Sequence, residues 1–260
     1  MNDILSAILV VGIVGLAFGV LLAVAAVIFK VEVDERIEKI EEVLPGANCG
    51  ACGFAGCSAY AAAVVEDGAP VNACGVGGSN VAQQIGGIMG MAVAAGKVMV
   101  ARVHCQGTCE NAKDKYEYYG VETCEAAIKL AGGQKACNTG CLGFGSCVSA
   151  CKFDAISVVD GVAVVDEEKC TACGACVKAC PKAIIELLPK DNKTFVKCAS
   201  HKTGKEVNAV CKAGCIACKI CEKNCEFEAI SVIDNLAVVD YDKCTACGVC
   251  AEKCPKKVIG

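Results

Sequence analysis

Tryptophan is absent, histidine occurs twice, proline five times, and aromatic residues make up 5% of the 260-residue chain. So few large side chains cannot fill one extensive core, so two or three small domains with another source of stability are expected. His104 and His201 are the only imidazoles, and neither has a catalytic triad around it. His104 beside Cys105 reads as an ordinary histidine before it reads as a ligand. No G-x-G-x-x-G follows a strand, and neither a Walker motif nor a nucleophile elbow is present, which removes dinucleotide folds, nucleotide hydrolysis and acyl transfer. A formal net charge of −4 offers no basic surface for nucleic acid.

The chain is rich in cysteine instead, with 25 residues in tight groups. Disulfides, zinc knots and iron–sulfur clusters all use dense cysteine, so spacing and compartment must choose among them.

Compartment follows from the N-terminal segment. Ile4 to Phe29 contains no charged residue, and Ser6 is its only polar side chain. At ~1.5 Å per residue this run is longer than the ~30 Å hydrocarbon core, so one transmembrane helix is expected over 1–30. Ala23-Val24-Ala25 resembles a signal-peptide cleavage site, but no Lys or Arg precedes the run and it exceeds a signal core. Gly15 and Gly19 make a small-xxx-small spacing, equally compatible with a neighbouring helix and with the usual glycine of membrane helices. Lys30, Arg36 and Lys39 follow the run and only Asp3 precedes it, which places the rest of the chain on the cytoplasmic side of the cell (inner) membrane as a single-pass protein. Thiols stay reduced there, which disfavours structural disulfides. Val33, Ile37, Ile40 and Leu44 repeat at helical spacing, Asp34 can cap and Pro45-Gly46 stops the turn, so 31–48 reads as an amphipathic linker helix.

Cys49, Cys52, Cys57 and Cys74 form C-x2-C-x4-C-x16-C among glycines that let backbone approach a cluster. With no histidine nearby, a [4Fe–4S] cluster outweighs zinc at this group, and 49–103 is a single-cluster domain. Ser58–Val65 reads as a helix, and the apolar run after Asn80 as a packed helix followed by a strand, Val98–Val103.

The second half carries the most specific signal. Cys170, Cys173, Cys176 and Cys180-Pro181 spell C-x2-C-x2-C-x3-C-P, and Cys244, Cys247, Cys250 and Cys254-Pro255 repeat it. In this bacterial ferredoxin run the fourth cysteine ligates the other cluster of a pair. Cys215, Cys218, Cys221 and Cys225 form a third copy, and Cys137, Cys141, Cys147 and Cys151 a variant with Phe144 in the middle-cysteine position. A shift of 74 maps Cys124 to Cys198, Cys137 to Cys211, Cys141 to Cys215, Cys147 to Cys221 and Cys170 to Cys244, a tandem duplication over 104–190 and 191–260. Crossed ligation gives Cys215, Cys218, Cys221 and Cys254 one cluster and Cys225, Cys244, Cys247 and Cys250 its partner. In the first unit Cys151, Cys170, Cys173 and Cys176 hold one; Cys141, Cys147 and Cys180 need a fourth ligand, with Cys137 the nearest. Cys105, Cys109, Cys124, Cys198 and Cys211 remain. The first three look like ligands of a sixth site completed by Cys198, Cys211 or Cys137, with inert buried thiols as the alternative.

The expected fold is therefore α+β: one transmembrane helix, a four-cysteine cluster domain and a tandem duplicated ferredoxin-like region with at least five [4Fe–4S] clusters. One helix, then the Cys49–Cys74 group, then ferredoxin runs, resembles the B subunit of the Rnf complex over nearly the whole chain. The resemblance implies a membrane ferredoxin:NAD+ oxidoreductase that translocates Na+ or H+. Soluble ferredoxin would be the electron donor and other membrane and flavin subunits the partners. Two ferredoxin pairs, where simpler members have one, resemble the version of anaerobic bacteria. A related complex that reduces a redox-sensing transcription factor, and a zinc-stabilised membrane scaffold without redox function, are the alternatives.

Overall fold

The computed structural model describes residues 2–28, 34–92 and 97–260. Helix α1 (Asn2–Ile28) opens the chain. Its described apolar side chains are exposed, with Val11, Leu16 and Phe18 all more than half accessible, and nothing approaches Gly12, Gly15 or Gly19. Side chains of α1 are described only at Leu9 and from Val11 to Ala25; among the described residues no helix is long and apolar enough to cross a membrane. Lys30, used above for orientation, and Val33, used for the linker pattern, lie outside the described residues.

Helix α2 (Glu35–Val43) begins where Asp34 accepts the Arg36 N–H at 2.9 Å. Its apolar stripe, Ile37 and Ile40 with Leu44 just beyond, packs on α3 (Cys57–Glu66) and α4 (Gly78–Met89). Tyr60, Val64 and Ile85 are buried there, and the Tyr60 hydroxyl donates to the Pro70 carbonyl at 2.7 Å, which satisfies the one polar atom the ring brings inside. Gly90, at φ 70°, ends α4. Part of the apolar run that follows, 93–96, lies outside the described residues.

Strand β1 (Met99–Val103) closes the stretch that spacing assigned to the single-cluster domain, yet it pairs antiparallel with β4 (Ile185–Pro189), Val100 opposite Leu188. It thus belongs in space to the first ferredoxin unit, because its buried face completes that unit's core with Ile156, Val162 and Ile185. Between them lie α5 (Cys124–Lys129), α6 (Ser146–Ser149), β2 (Ile156–Val159), β3 (Val162–Val165) and α7 (Ala175–Ala179). The second unit holds α8 (Gly204–Val210), α9 (Ile220–Lys223), β5 (Ile230–Ile233), β6 (Leu236–Val239) and α10 (Val249–Lys253).

Hairpins β2–β3 and β5–β6 are equivalent under the 74-residue shift. Each turns on two residues at positive φ, Asp160-Gly161 (48° and 76°) and Asp234-Asn235 (46° and 65°), as a two-residue turn matched to strand twist requires. The copies diverge upstream: α5 and α8 fall at positions that the shift does not superpose.

The two units meet through backbone. Lys113 N–H donates to the Val210 carbonyl at 3.0 Å and Lys212 N–H to the Asn111 carbonyl at 2.8 Å. His104 Nδ1 lies 2.7 Å from the Val196 carbonyl, and the Arg102 guanidinium sits 5.0 Å from the centre of the Phe195 ring.

A Cβ on Gly161 would stand 2.8 Å from Cys109 Sγ. Gly161→Ala should therefore cost about 1–2 kcal/mol for the left-handed conformation, plus the clash. Cys109→Ala in the same chain should recover the clash part. Anaerobic thermal unfolding of the single and double variants measures both; equal losses would show that the sulfur does not press on the turn.

Candidate metal centres

The cysteine runs fold into one recurring loop. Between first and second cysteine stands an alanine in the left-handed region: Ala172, Ala217 and Ala246, at φ 54°, 55° and 56°. Before the third cysteine comes a second such residue, Gly174, Lys219 or Gly248, which starts α7, α9 or α10. Each non-glycine residue held there costs roughly 1–2 kcal/mol. Left-handed residues set among ordinary ones turn successive N–H groups toward one concave side, a setting for negative charge. N–H groups do reach sulfur: Ala101 to Cys170 Sγ at 3.4 Å, Ala229 to Cys225 Sγ at 3.3 Å and Gly77 to Cys74 Sγ at 3.4 Å.

Cys49, Cys52, Cys57 and Cys74 line one cavity of about 350 Å³. Its loop is pinned by Asn48, which accepts the Cys57 N–H at 2.8 Å from a left-handed backbone of its own, φ 44°. Cys215, Cys218, Cys221 and Cys254 line a second and Cys225, Cys244, Cys247 and Cys250 a third, each about 340 Å³. The crossed pattern is visible in both, since Cys254 and Cys225 come from the opposite run. In the first unit Cys170 and Cys173 face Cys176, and Cys151 packs in the same core. Among the described residues no three His, Cys, Asp or Glu side chains converge tightly enough to hold a single metal ion. Four thiols set around one space fit a cubane cluster, whose thiolates stand apart around it.

The remaining site of the first unit departs from the spacing-based expectation. Cys141, Cys147 and Cys180 line a cavity of about 390 Å³ with Cys124, and Cys137 is not on it. Phe144, standing where the second unit has Cys218, stacks on Tyr118 at 5.1 Å and packs with Ile128 and Leu142 against α5. That packing brings in the first residue of α5, Cys124, whose N–H donates to Ser146 Oγ at 2.9 Å. A signal was present: Thr123 caps the helix that Cys124 opens, as a cysteine also opens α3. Cys137 lines a separate cavity with Cys105, Cys198 and Cys211. Cys109 is exposed beside the β2–β3 turn, so the expected grouping of Cys105, Cys109 and Cys124 is not formed.

Family comparisons agree with these positions. The Fe-S cluster family matches residues 44–76, the 4Fe-4S binding domain 163–186 and the 4Fe-4S dicluster domain 214–259. The whole chain is 47% identical over 260 residues to the B subunit of the Na(+)-translocating ferredoxin:NAD(+) oxidoreductase complex of Acetobacterium woodii, covering 78% of that protein. It is 47% identical over 246 residues to the B subunit of the ion-translocating oxidoreductase complex of Methanosarcina acetivorans, with 94% of this chain and 93% of that one aligned. The B subunit of a proton-translocating ferredoxin:NAD(+) oxidoreductase complex from Clostridium ljungdahlii is 43% identical over 263 residues, covering all of this chain and 93% of that one. The chain belongs to the B-subunit family of ion-translocating ferredoxin:NAD+ oxidoreductase complexes. The three matched stretches contain the Cys49–Cys74 group and both intact ferredoxin runs.

Burial raises several of the buried thiols. Burial first, then the neighbouring Cys141, Cys124 and Cys180, pushes Cys147 up to about 12. Burial likewise takes Cys176, Cys198 and Cys221 to about 11. These groups are protonated at neutral pH without a cluster, whereas a cluster takes thiolates. Loading must then release protons and strengthen as pH rises from 7 to 9, by up to tenfold per unit for each proton released. Adding iron and sulfide to cluster-free protein in weakly buffered anaerobic solution should release more acid than the protons carried in by the hydrosulfide. Acid equal to the hydrosulfide's own protons would show that the thiols are already ionised.

Proposed function

We propose that this chain takes electrons from soluble ferredoxin and conducts them toward the membrane and flavin subunits of an ion-translocating ferredoxin:NAD+ oxidoreductase. Bound [4Fe–4S] clusters supply one-electron transfer; the protein supplies spacing, hydrogen bonds to sulfur and a low dielectric. The observation that carries the reading is that cysteine groups abut one another across domain boundaries. Beside Cys74, a Cβ on Gly75 would lie 3.0 Å from the Ala172 carbonyl oxygen and 3.9 Å from Cys173 Cα, so the single-cluster domain docks on the ferredoxin loop of the first unit.

The cavities and packing support five ligand sets. They are Cys49, Cys52, Cys57 and Cys74; Cys151, Cys170, Cys173 and Cys176; Cys124, Cys141, Cys147 and Cys180; Cys215, Cys218, Cys221 and Cys254; and Cys225, Cys244, Cys247 and Cys250. Cys124→Ala should lower the iron of anaerobically purified protein by about four per chain. Unchanged iron would return Cys124 to the spare thiols.

Helix α1 is the membrane anchor in this reading. The uncharged run from Ile4 to Phe29 in the sequence, as a helix, exceeds a ~30 Å hydrocarbon core. Its exposed apolar side chains have no partner among the described residues, so lipid or a neighbouring helix is needed to cover them. Arg36 and Lys39 beyond it favour the cytoplasmic side for the cluster domains.

Deleting Met1 to Lys30 tests the assignment. All cysteines follow residue 48, so the shortened protein should keep its iron and accept electrons from reduced ferredoxin. It should not restore ferredoxin-dependent NADH formation in membranes that lack the full-length chain, because a tethered encounter becomes a diffusive one. Full NADH formation by the truncated chain would remove the anchor from the function.

A further inference from the structure

With the five sets assigned, Cys105, Cys109, Cys137, Cys198 and Cys211 are left. Four of them, drawn from both ferredoxin units, border one cavity, as the cysteines of four of the other sets do. Glycines lie directly against its sulfurs. A Cβ on Gly107 would stand 3.4 Å from Cys105 Sγ and 3.9 Å from Cys211 Sγ; on Gly140, 3.6 Å from Cys137 Sγ; on Gly214, 3.9 Å from Cys198 Sγ.

The walls also donate to sulfur. Gly107 and Cys141 each send a backbone N–H to Cys105 Sγ at 3.3 Å. Backbone N–H groups of Cys215 and Ser200 face Cys198, and that of Ala213 faces Cys211. Lys135, 3% exposed, lines the same cavity with its ammonium on the Gly107 carbonyl at 2.5 Å and the Gly161 carbonyl at 3.1 Å. Converging donors and a buried cation have little use among four neutral thiols. They are what a group of bound thiolates needs.

We propose that Cys105, Cys137, Cys198 and Cys211 hold a sixth [4Fe–4S] cluster at the seam between the two ferredoxin units. The proposal rests on reading the other cysteine cavities as cluster sites. It lies outside all three matched family stretches, which end at 76, resume at 163 and 214, and include none of these four residues. Its place makes it a relay. One donor to Cys105 is Cys141, a ligand of the first unit's site, and one donor to Cys198 is Cys215, a ligand of the second unit's site. An electron given up by one neighbouring site passes through to the other with no bond or proton exchanged; reduced ferredoxin is its source. Only Cys109 then lacks a cluster, and it is the exposed one beside the hairpin turn.

The test is iron, acid-labile sulfide and zinc per chain in anaerobically purified full-length protein, with Mössbauer and EPR spectra of the reduced state. About 24 irons are expected from six clusters of four. Cys211→Ala and Cys137→Ser should each lose about four and one spectral component, while Cys109→Ala keeps all. About 20 irons in the parent chain, unchanged in Cys211→Ala, would overturn the seam cluster and leave the other five standing. One zinc per chain that disappears in Cys211→Ala would overturn it equally. Some eight irons or fewer would bring down the general cluster reading with it. Should Cys211→Ala fail to fold, the parent count of 24 against 20 decides alone.

Discussion

Thiolates gathered around one cavity repel one another unless positive charge lies among them, and the backbone beyond Pro45 is shaped by that condition. Alanines are held in left-handed conformations that each cost roughly 1–2 kcal/mol, at Ala172, Ala217 and Ala246. Nothing in the surrounding apolar packing requires this, because the helices that follow are only one turn long and the strands only four or five residues. Metal ligation supplies the compensating free energy, as in other small metal-dependent domains. The scarcity of aromatic side chains has the same origin: a cluster fills the middle of each small unit.

Duplication shows which parts of this arrangement are rigid requirements. The hairpins, the left-handed residues and the one-turn helices recur 74 residues apart almost unchanged. The ligand at the middle position of the upstream run does not. Phe144 takes the place of a cysteine, and its ring builds an apolar patch with Tyr118, Ile128 and Leu142 that draws in α5 and therefore Cys124. The copy of Cys124, Cys198, is freed from that task because Cys218 is present, and it faces the seam instead. One substitution in the run is thus answered by a helix some twenty residues upstream.

Whatever is local was legible in the sequence. Asp34 as a cap, the apolar stripe of α2, the helix after Cys57 and the crossed ligand pattern of the second unit all follow from spacings of a few residues. Long-range choices were not. Cys137 is nearest to Cys141 in the chain, but chain proximity says nothing about which side of a loop a thiol faces. The seam cavity takes one cysteine from each of four segments, brought together by contacts between the units such as Lys113 with Val210 and Lys212 with Asn111. The partner of β1 was hidden for the same reason, since Val100 and Leu188 lie most of a domain apart in sequence.

The seam also bears on how readily its cluster accepts an electron. Reduction adds negative charge, which burial opposes, so a deeply enclosed site is biased toward the oxidised state and exposed ones less so. Cys218 and Cys247 are exposed ligands in the second unit, whereas Cys211 is buried and Cys105 and Cys198 are largely enclosed. Left at that, the seam would be an energetic barrier in the middle of the path. Lys135 changes the balance, because its ammonium is buried where water cannot screen it and lies among the cavity walls. Its charge, with the N–H groups aimed at Cys105 and Cys198, favours the reduced state against the penalty of enclosure. Two carbonyls, those of Gly107 and Gly161, hold the ammonium in place. Gly161 is the turn residue of the β2–β3 hairpin, so the repeat's own turn positions the cation that its unduplicated neighbour, the seam, requires.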